Sequence, residues 1–190
     1  VYTHSTIKGY FNDKAQRLRV EGYFPRLRYE NKFIESGMFL CENPGDQFHT
    51  RLRFSNRKSS GAVNIALEAQ VQNNSIQTTL NWGNSSTVTY SGKLAAVAHF
   101  IREQKEANEN KRKLPPLKTV INVQPTNVIL NDTLWDIHPS QVVLDSGKVY
   151  VNDFYFSHKD RHLRINGIVS PQPEDTVRLD LKEINIGYVF

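Results

Sequence analysis

The sequence predicts a mainly β protein, an antiparallel sheet carrying one helix. Three observations lead there. Apolar and polar residues alternate through most of the chain, the period of a half-buried strand. Clusters of Gly, Asn, Asp and Ser separate the alternating runs at hairpin spacing. A single segment, beginning at Lys93, switches to a helical period.

The first third is the least regular. Leu18, Val20, Leu27, Tyr29, Leu52 and Phe54 suggest strands, interrupted by Pro25, Pro44 and several glycines. Residues 62–82 are clearer: Val63, Ile65, Leu67, Ala69 and Val71 share one face, with Asn64, Glu68 and Gln70 on the other. Asn73-Asn74-Ser75 turns the chain, and Ile76, Thr78, Leu80 and Trp82 form a second strand, giving a hairpin with one wet face. Thr87 to Ser91 offers a third, short strand.

From Lys93 to about Asn110, Leu94, Val97, Ala98 and Ile101 recur at helical spacing, and Leu114-Pro115-Pro116 closes the segment. A helix over 93–113 is expected, lying on the sheet or plugging one end. Strand alternation then resumes at Thr119, Ile121 and Val123, at Val128 and Leu130, and at Trp135 and Ile137. Val142–Leu144 lead into an Asp145-Ser146-Gly147 hairpin turn, followed by Val149 and Val151. Asn152-Asp153 shifts the phase by one before Phe154 and Phe156, the mark of a β-bulge. Residues 157–161 turn again. Leu163 and Ile165 return, and Val177, Leu179 and Leu181 alternate against Arg178, Asp180 and Lys182. A second phase shift at Glu183 precedes Ile184, Ile186, Tyr188 and Phe190. The organisation expected is residues 1–92 as an N-terminal part of the sheet, 93–113 as the helix, and 114–190 as a C-terminal meander of the same sheet.

Composition narrows the function classes. With 38% hydrophobic and 23% charged residues over 190 positions, the chain is neither disordered nor built of membrane-spanning helices. Val1 without a leader, and Phe190 in mid-pattern, read as the ends of an excised piece of a longer chain. The lone Cys41 rules out an internal disulfide, which suits a cytosolic protein or a periplasmic one stabilised by a large sheet. A net charge of +5 raises nucleic acid as a partner. However, the Lys and Arg residues are dispersed, and the dense Lys111-Arg112-Lys113 run falls at the end of the expected helix, where cations suit the dipole. Without a recognition motif, no nucleic-acid partner is expected.

No catalytic constellation stands out. His158 and His162 flank a hairpin tip and would need a third ligand or a substrate cleft to act as a metal or general-base pair. Asp132, Asp136 and His138 surround Trp135 and read as the wet side of a strand and loop. Cys41, after Met38-Phe39-Leu40, reads as a small buried hydrophobe. No nucleophile elbow, phosphate loop or dinucleotide fingerprint occurs, so neither enzyme activity nor a cofactor or metal is expected. Trp82, Trp135, Phe154, Phe156 and Tyr188 would suit sugar stacking if exposed, and strand packing if not.

Over residues 93–190 the chain resembles the TamB family, relatives of AsmA and of the bridge-like lipid-transport proteins, with its Bacteroidetes forms nearest. The likeness is carried by the order of short pieces. Phe100 precedes a proline break and the Thr119–Val123 strand; Pro125-Thr126, Leu130-Asn131-Asp132, Trp135 and Ile137-His138-Pro139-Ser140 follow. The Gly147 turn, INGIVS and PEDTVRLDLKEINI complete it. Residues 1–92 resemble the family more loosely. The resemblance implies an elongated, curled sheet (a β-taco) with an apolar concave groove, in a periplasmic protein anchored in the inner membrane. It also implies work with an outer-membrane barrel of the TamA or BamA type, the groove conveying phospholipid or sheltering outer-membrane protein strands. No anchor is visible in the sequence, so docking functions would lie outside it.

The residues themselves are compatible with that role. A sheet with one apolar face must cover it with another layer or a ligand. An uncovered remainder would form a lipid-sized trough, lined by Val149, Val151, Phe154, Phe156, Leu163, Ile165, Val177, Leu179 and Leu181. The alternative is a sheet folded on itself as a closed β-sandwich that binds glycan or protein at its exterior.

Overall fold

The computed structural model describes residues 4–29, 32–58, 61–102 and 117–184. Its first seven strands are β1 (Thr6–Asn12), β2 (Arg17–Tyr29), β3 (Lys32–Glu42), β4 (Phe48–Lys58), β5 (Gly61–Gln72), β6 (Ser75–Asn84) and β7 (Ser91–Arg102). The second seven are β8 (Leu117–Val123), β9 (Thr126–Leu130), β10 (Thr133–Ile137), β11 (Ser140–Asp145), β12 (Lys148–His158), β13 (Arg161–Val169) and β14 (Val177–Lys182). The fold is mainly β, one antiparallel sheet of 14 strands.

Successive strands pair through most of the order, as an antiparallel meander requires. The apparent exceptions are proline breaks. β8 and β9 both pair with β7, Ala96 facing Val123 and Gly92 facing Val128, so they act as one strand interrupted at Pro125. β10 and β11 both pair with β12 in one register, Ile137 facing Phe156 and Gln141 facing Asn152, and are interrupted at Pro139. Proline has no N–H to give to the ladder, which is why pairing lapses at these two points.

The expected helix is not formed where it can be followed. Residues 93–102 belong to strand β7, laddered to β8 from Ala96–Val123 to Arg102–Leu117. Residues 103–113, the rest of the expected helix, lie outside the described residues. The cause is visible in KLAAVAHFIR. Leu94, Ala96, Ala98 and Phe100 fit a period of two as well as Leu94, Val97, Ala98 and Ile101 fit a helical one. Strand partners on the ladder decide between them. The short strand expected over Thr87–Ser91 is instead a loop, with strand resuming only at Ser91. Asn84 holds it: Nδ2 donates to the Val88 carbonyl at 2.7 Å, and the Tyr90 amide donates to Oδ1 at 2.8 Å.

The turns follow the sequence closely. Asn73 adopts φ of 50°, and both Asn131 (52°) and Asp132 (60°) take the left-handed conformation that a two-residue hairpin demands. Ser146 and Gly147 do the same at 50° and 82°. The bulge stands where the phase shift put it, as a register break between Val151 and Phe154 with Asp153 at φ 53°.

The chain forms two compact units. The first comprises residues 1–95 and 127–134, the second residues 96–126 and 135–190. Neither has an ordinary core. Among the described residues of the first, Val128 (3% exposed) is the one buried apolar side chain; in the second, Trp135 (5%) and Ile137 (8%) are. Most strand side chains in both are half-buried, as on a single layer.

Candidate functional site

Residues opposite each other on adjacent strands share a face of the sheet, and residues two apart along a strand share it too. In the second unit this rule gathers all nine residues expected to line a groove. Val151 faces Gly167, which faces Val177; Phe154 faces Ile165, which faces Leu179; Phe156 faces Leu163, which faces Leu181. Val149 joins them opposite Val169. The bulge matters here. Without the extra residue Phe154 and Phe156 would point away from Val149 and Val151. The same rows extend through Val142, Ile121 and Ala98, and through Leu144 and Thr119 to Phe100.

Exposure grades along this face. Val149, Val151, Phe154, Phe156, Leu163 and Ile165 are half-buried, whereas Val177, Leu179 (55%) and Leu181 on β14 are exposed. One end is closed. The Trp135 indole stacks on Phe156 with centroids 4.8 Å apart and planes 11° from parallel, and Ile137 lies opposite Phe156. Trp135 and Phe156 are thus packed against each other rather than presented for sugar stacking. Tyr188 lies outside the described residues.

A second apolar face, which the sequence reading did not assign to a site, covers the first unit. The row Val20–Cys41–Thr50–Ala69–Thr78 runs across β2 to β6, and Phe39–Leu52–Leu67–Leu80 runs beside it. Phe54–Ile65–Trp82 and Phe48–Val71–Ile76 flank them, with Phe11–Leu18 and Ile7–Gly22 toward β1. The face carries no charged residue in these rows. Two glycines let aromatic rings lie on it. A Cβ at Gly22 would stand 2.1 Å from Phe39 Cε1, and one at Gly92 would stand 2.4 Å from Trp82 Cζ2 and 2.7 Å from Val128 Cγ1. Phe39 also stacks on Phe24, at 5.8 Å and 19°. Cys41 takes its place here as a half-buried side chain 3.6 Å from the Thr50 hydroxyl.

The opposite faces carry the ion pairs, beside apolar residues of their own: Tyr23, Met38 and Leu40 in the first unit, and the row Val120–Val143–Tyr150–Ile168 in the second. In the first unit Arg19 binds Glu21 at 2.9 Å and Glu42 at 2.6 Å, and Arg53 reaches Glu68 at 3.6 Å. In the second, Arg164 grips Asp153 and sits 5.9 Å over the Tyr155 ring. That guanidinium, by hydrogen bond and then by charge, lowers the Asp153 carboxyl below its usual range. Lys148 and, second, Ser170 lower Asp175 in the same way.

Of the histidine and acidic candidates, Asp136, His138 and His162 lie around Ser157, whereas His158 and Asp132 stand apart from them. His162 faces Ser157 and binds Asp180 at 3.2 Å, while His158 faces Arg161 one position on, and so points from the other face, 5.6 Å from the Trp135 ring. His138 donates or accepts with the Ser157 hydroxyl at 2.9 Å, and Asp132 accepts from the Thr89 amide at 2.7 Å as a turn cap. Among the described residues no three His, Cys, Asp or Glu side chains gather in a metal-holding group. Nor is any described helix long and apolar enough to cross a membrane. No family model matches the chain, and neither the curated proteins nor the solved structures include a significant match to it.

Proposed function

We propose that this chain is a segment of a TamB-like protein that conveys phospholipid between membranes along an apolar groove. On this reading it works in the periplasm, within a longer protein anchored in the inner membrane, and delivers to the outer membrane beside a barrel of the TamA or BamA type. A related use of the same surface is to shelter strands of outer-membrane proteins during assembly. No catalysis, cofactor or metal enters the scheme.

The observation that carries the proposal is the segregation of side chains on a single-layer sheet. Rows of Val, Leu, Ile and Phe occupy one face of each unit, the ion pairs lie on the other beside a smaller number of apolar residues, and few described apolar side chains are buried. Such a face is costly in water, about 25 cal/mol for each Å² left exposed. An acyl chain covers it without needing a specific partner, and its headgroup stays in solvent. The mechanism is passive: aliphatic rows offer a succession of near-equivalent contacts, so no single residue holds the lipid tightly.

Native mass spectrometry of the purified chain, followed by lipid extraction, tests this. Co-purifying phospholipid, lost in Leu179→Asp and in Leu52→Asp while the fold persists, is the expected result. A chain that takes up no added phospholipid, with urea unfolding typical of a closed core, would remove the groove and favour a self-packed sandwich.

A further inference from the structure

A depression lies on the charged face of the first unit, opposite the apolar rows. Register places Lys8, Glu21, Leu40 and Arg51 in one row, and Thr6, Tyr23, Met38 and Arg53 in the next. The cavity over these rows has a volume of about 380 Å³. That is the lower end of the range for small-ligand sites, roughly 300–1,000 Å³.

Its lining is divided by chemistry. Tyr23, Met38 and Leu40 make an apolar floor, and Met38 is 53% exposed although it sits between polar neighbours. Lys8, Arg19, Arg51 and Arg53 stand around it against one lining carboxylate, Glu21. Arg19 is engaged by Glu21 and Glu42. Arg53 meets Glu68 only at 3.6 Å, with both side chains largely in water, where such a pair is weak. Lys8 and Arg51 form no ion pair among the described residues. The result is an excess of positive charge over a greasy floor. Arg51 and Arg53 are two residues apart on one face, roughly 7 Å between Cα atoms at the usual strand rise. Two guanidinium forks at that spacing suit the several oxygens of one phosphate, which a carboxylate matches less fully.

We propose that this cavity binds a phosphate-headed amphiphile. Arg51 and Arg53 hold the phosphate, Lys8 adds charge from the far side, and the alkyl part lies on Tyr23, Met38 and Leu40. The site does not depend on the groove reading, since its side chains project from the other face of the same strands. A polyanion such as nucleic acid fits less well, because the floor between these cations is aliphatic as well as aromatic.

The test is calorimetric titration of the whole chain with hexyl phosphate, hexanol and inorganic phosphate in turn. Hexyl phosphate should bind more tightly than either of the others, separating the amphiphile from free phosphate and from a simple apolar ligand. Arg51→Gln, at an exposed position with no ion pair to lose, should weaken binding by about tenfold or more. Lys8→Gln should weaken it less, and Leu179→Asp should leave it unchanged, which keeps this site distinguishable from the groove. Equal binding of hexanol would overturn the anion recognition. Equal binding of inorganic phosphate would overturn the role of the floor, and an unaffected Arg51→Gln would place the ligand elsewhere. No measurable binding of hexyl phosphate would overturn the site altogether.

Discussion

Leu179→Asp separates an open face from a closed core by magnitude. Leu179 sits on β14 opposite Ile165 and keeps 55% of its surface in water. Full burial of a leucine is worth about 1.5–3 kcal/mol, so the native contacts at this position contribute about 1 kcal/mol. The new carboxylate stays hydrated and brings no desolvation penalty of its own. The expected loss of unfolding free energy is therefore about 1 kcal/mol, with an unchanged urea m-value. Lipid occupancy should respond far more strongly. An acyl chain lying along the Phe154–Ile165–Leu179 row would have to strip water from the carboxylate, at a cost of several kcal/mol. Urea titration and native mass spectrometry on the same preparation read both quantities. A stability loss of about 3 kcal/mol or more, the range for leucine truncation in packed cores, would refute the single-layer reading. An unchanged lipid occupancy would refute the groove.

Three further outcomes follow from the geometry. Gly92→Ala should cost about 1–3 kcal/mol by overpacking, because its Cβ meets Trp82 on one side and the buried Val128 on the other. Gly45→Ala, with nothing within 4 Å, is the matched control, and equal effects in urea titrations would show that the contact at Gly92 relaxes freely. Trp135→Ala should be the most damaging change in the second unit, at about 3–5 kcal/mol, since it removes both the stack on Phe156 and one of its few buried side chains; a loss under about 1 kcal/mol would mean that this end is open. Asp175 accepts from Lys148 Nζ at 2.8 Å and from Ser170 Oγ at 2.5 Å, and both hold it ionised, so its folded pKa lies below the unfolded 3.8. The folded chain thus takes up this proton less readily, and the stabilisation is complete above the unfolded value and fades as pH falls through the folded one. Asp175→Asn should be less stable than wild type near neutral pH, with the gap closing in acid; a gap independent of pH would assign the loss to something other than ionisation.

How much of this was legible depends on what each segment had to specify. The hairpin at Asn73, the bulge at Asp153 and the nine-residue face of β12–β14 could be read because period two, a turn residue and a phase shift are local properties. The segment after Lys93 was misread for the converse reason. With Leu94, Ala95, Ala96, Val97 and Ala98 in succession, both periods are satisfied, and only the β8 ladder chooses between them. The apolar face of the first unit was half legible. Val63 to Val71 alternate cleanly, but Phe39, Leu52 and Leu80 join them only through register, which no single strand encodes. The cation-rimmed cavity was not legible at all, because Lys8, Leu40 and Arg51 come from three separate strands.

The two faces of the first unit can be weighed against each other on stability grounds alone. At a half-exposed strand position a polar side chain costs little, about 1 kcal/mol or less, so packing does not by itself require an apolar residue at every site. The charged face illustrates the tolerance: Arg19, Glu21, Arg51 and Glu68 occupy the same strands as ion pairs and solvated heads, Arg19 half-buried and the other three exposed. Yet Val20, Phe39, Leu52, Leu67 and Leu80, one residue out of phase with them, are apolar, and Thr50 and Thr78 are the polar residues among the rows of that face named above. A single layer held mainly by its ladder would be as stable with scattered Thr, Gln or Lys on both sides. The asymmetry therefore needs a reason beyond the sheet itself, and an apolar occupant covering that face supplies one. Replacing Leu52 and Leu67 together by Thr separates the two explanations. If the face serves only the fold, the double variant loses stability in proportion to the area removed and lipid occupancy is indifferent. If the face serves an occupant, the fold tolerates the change at about 1–2 kcal/mol while phospholipid uptake falls away.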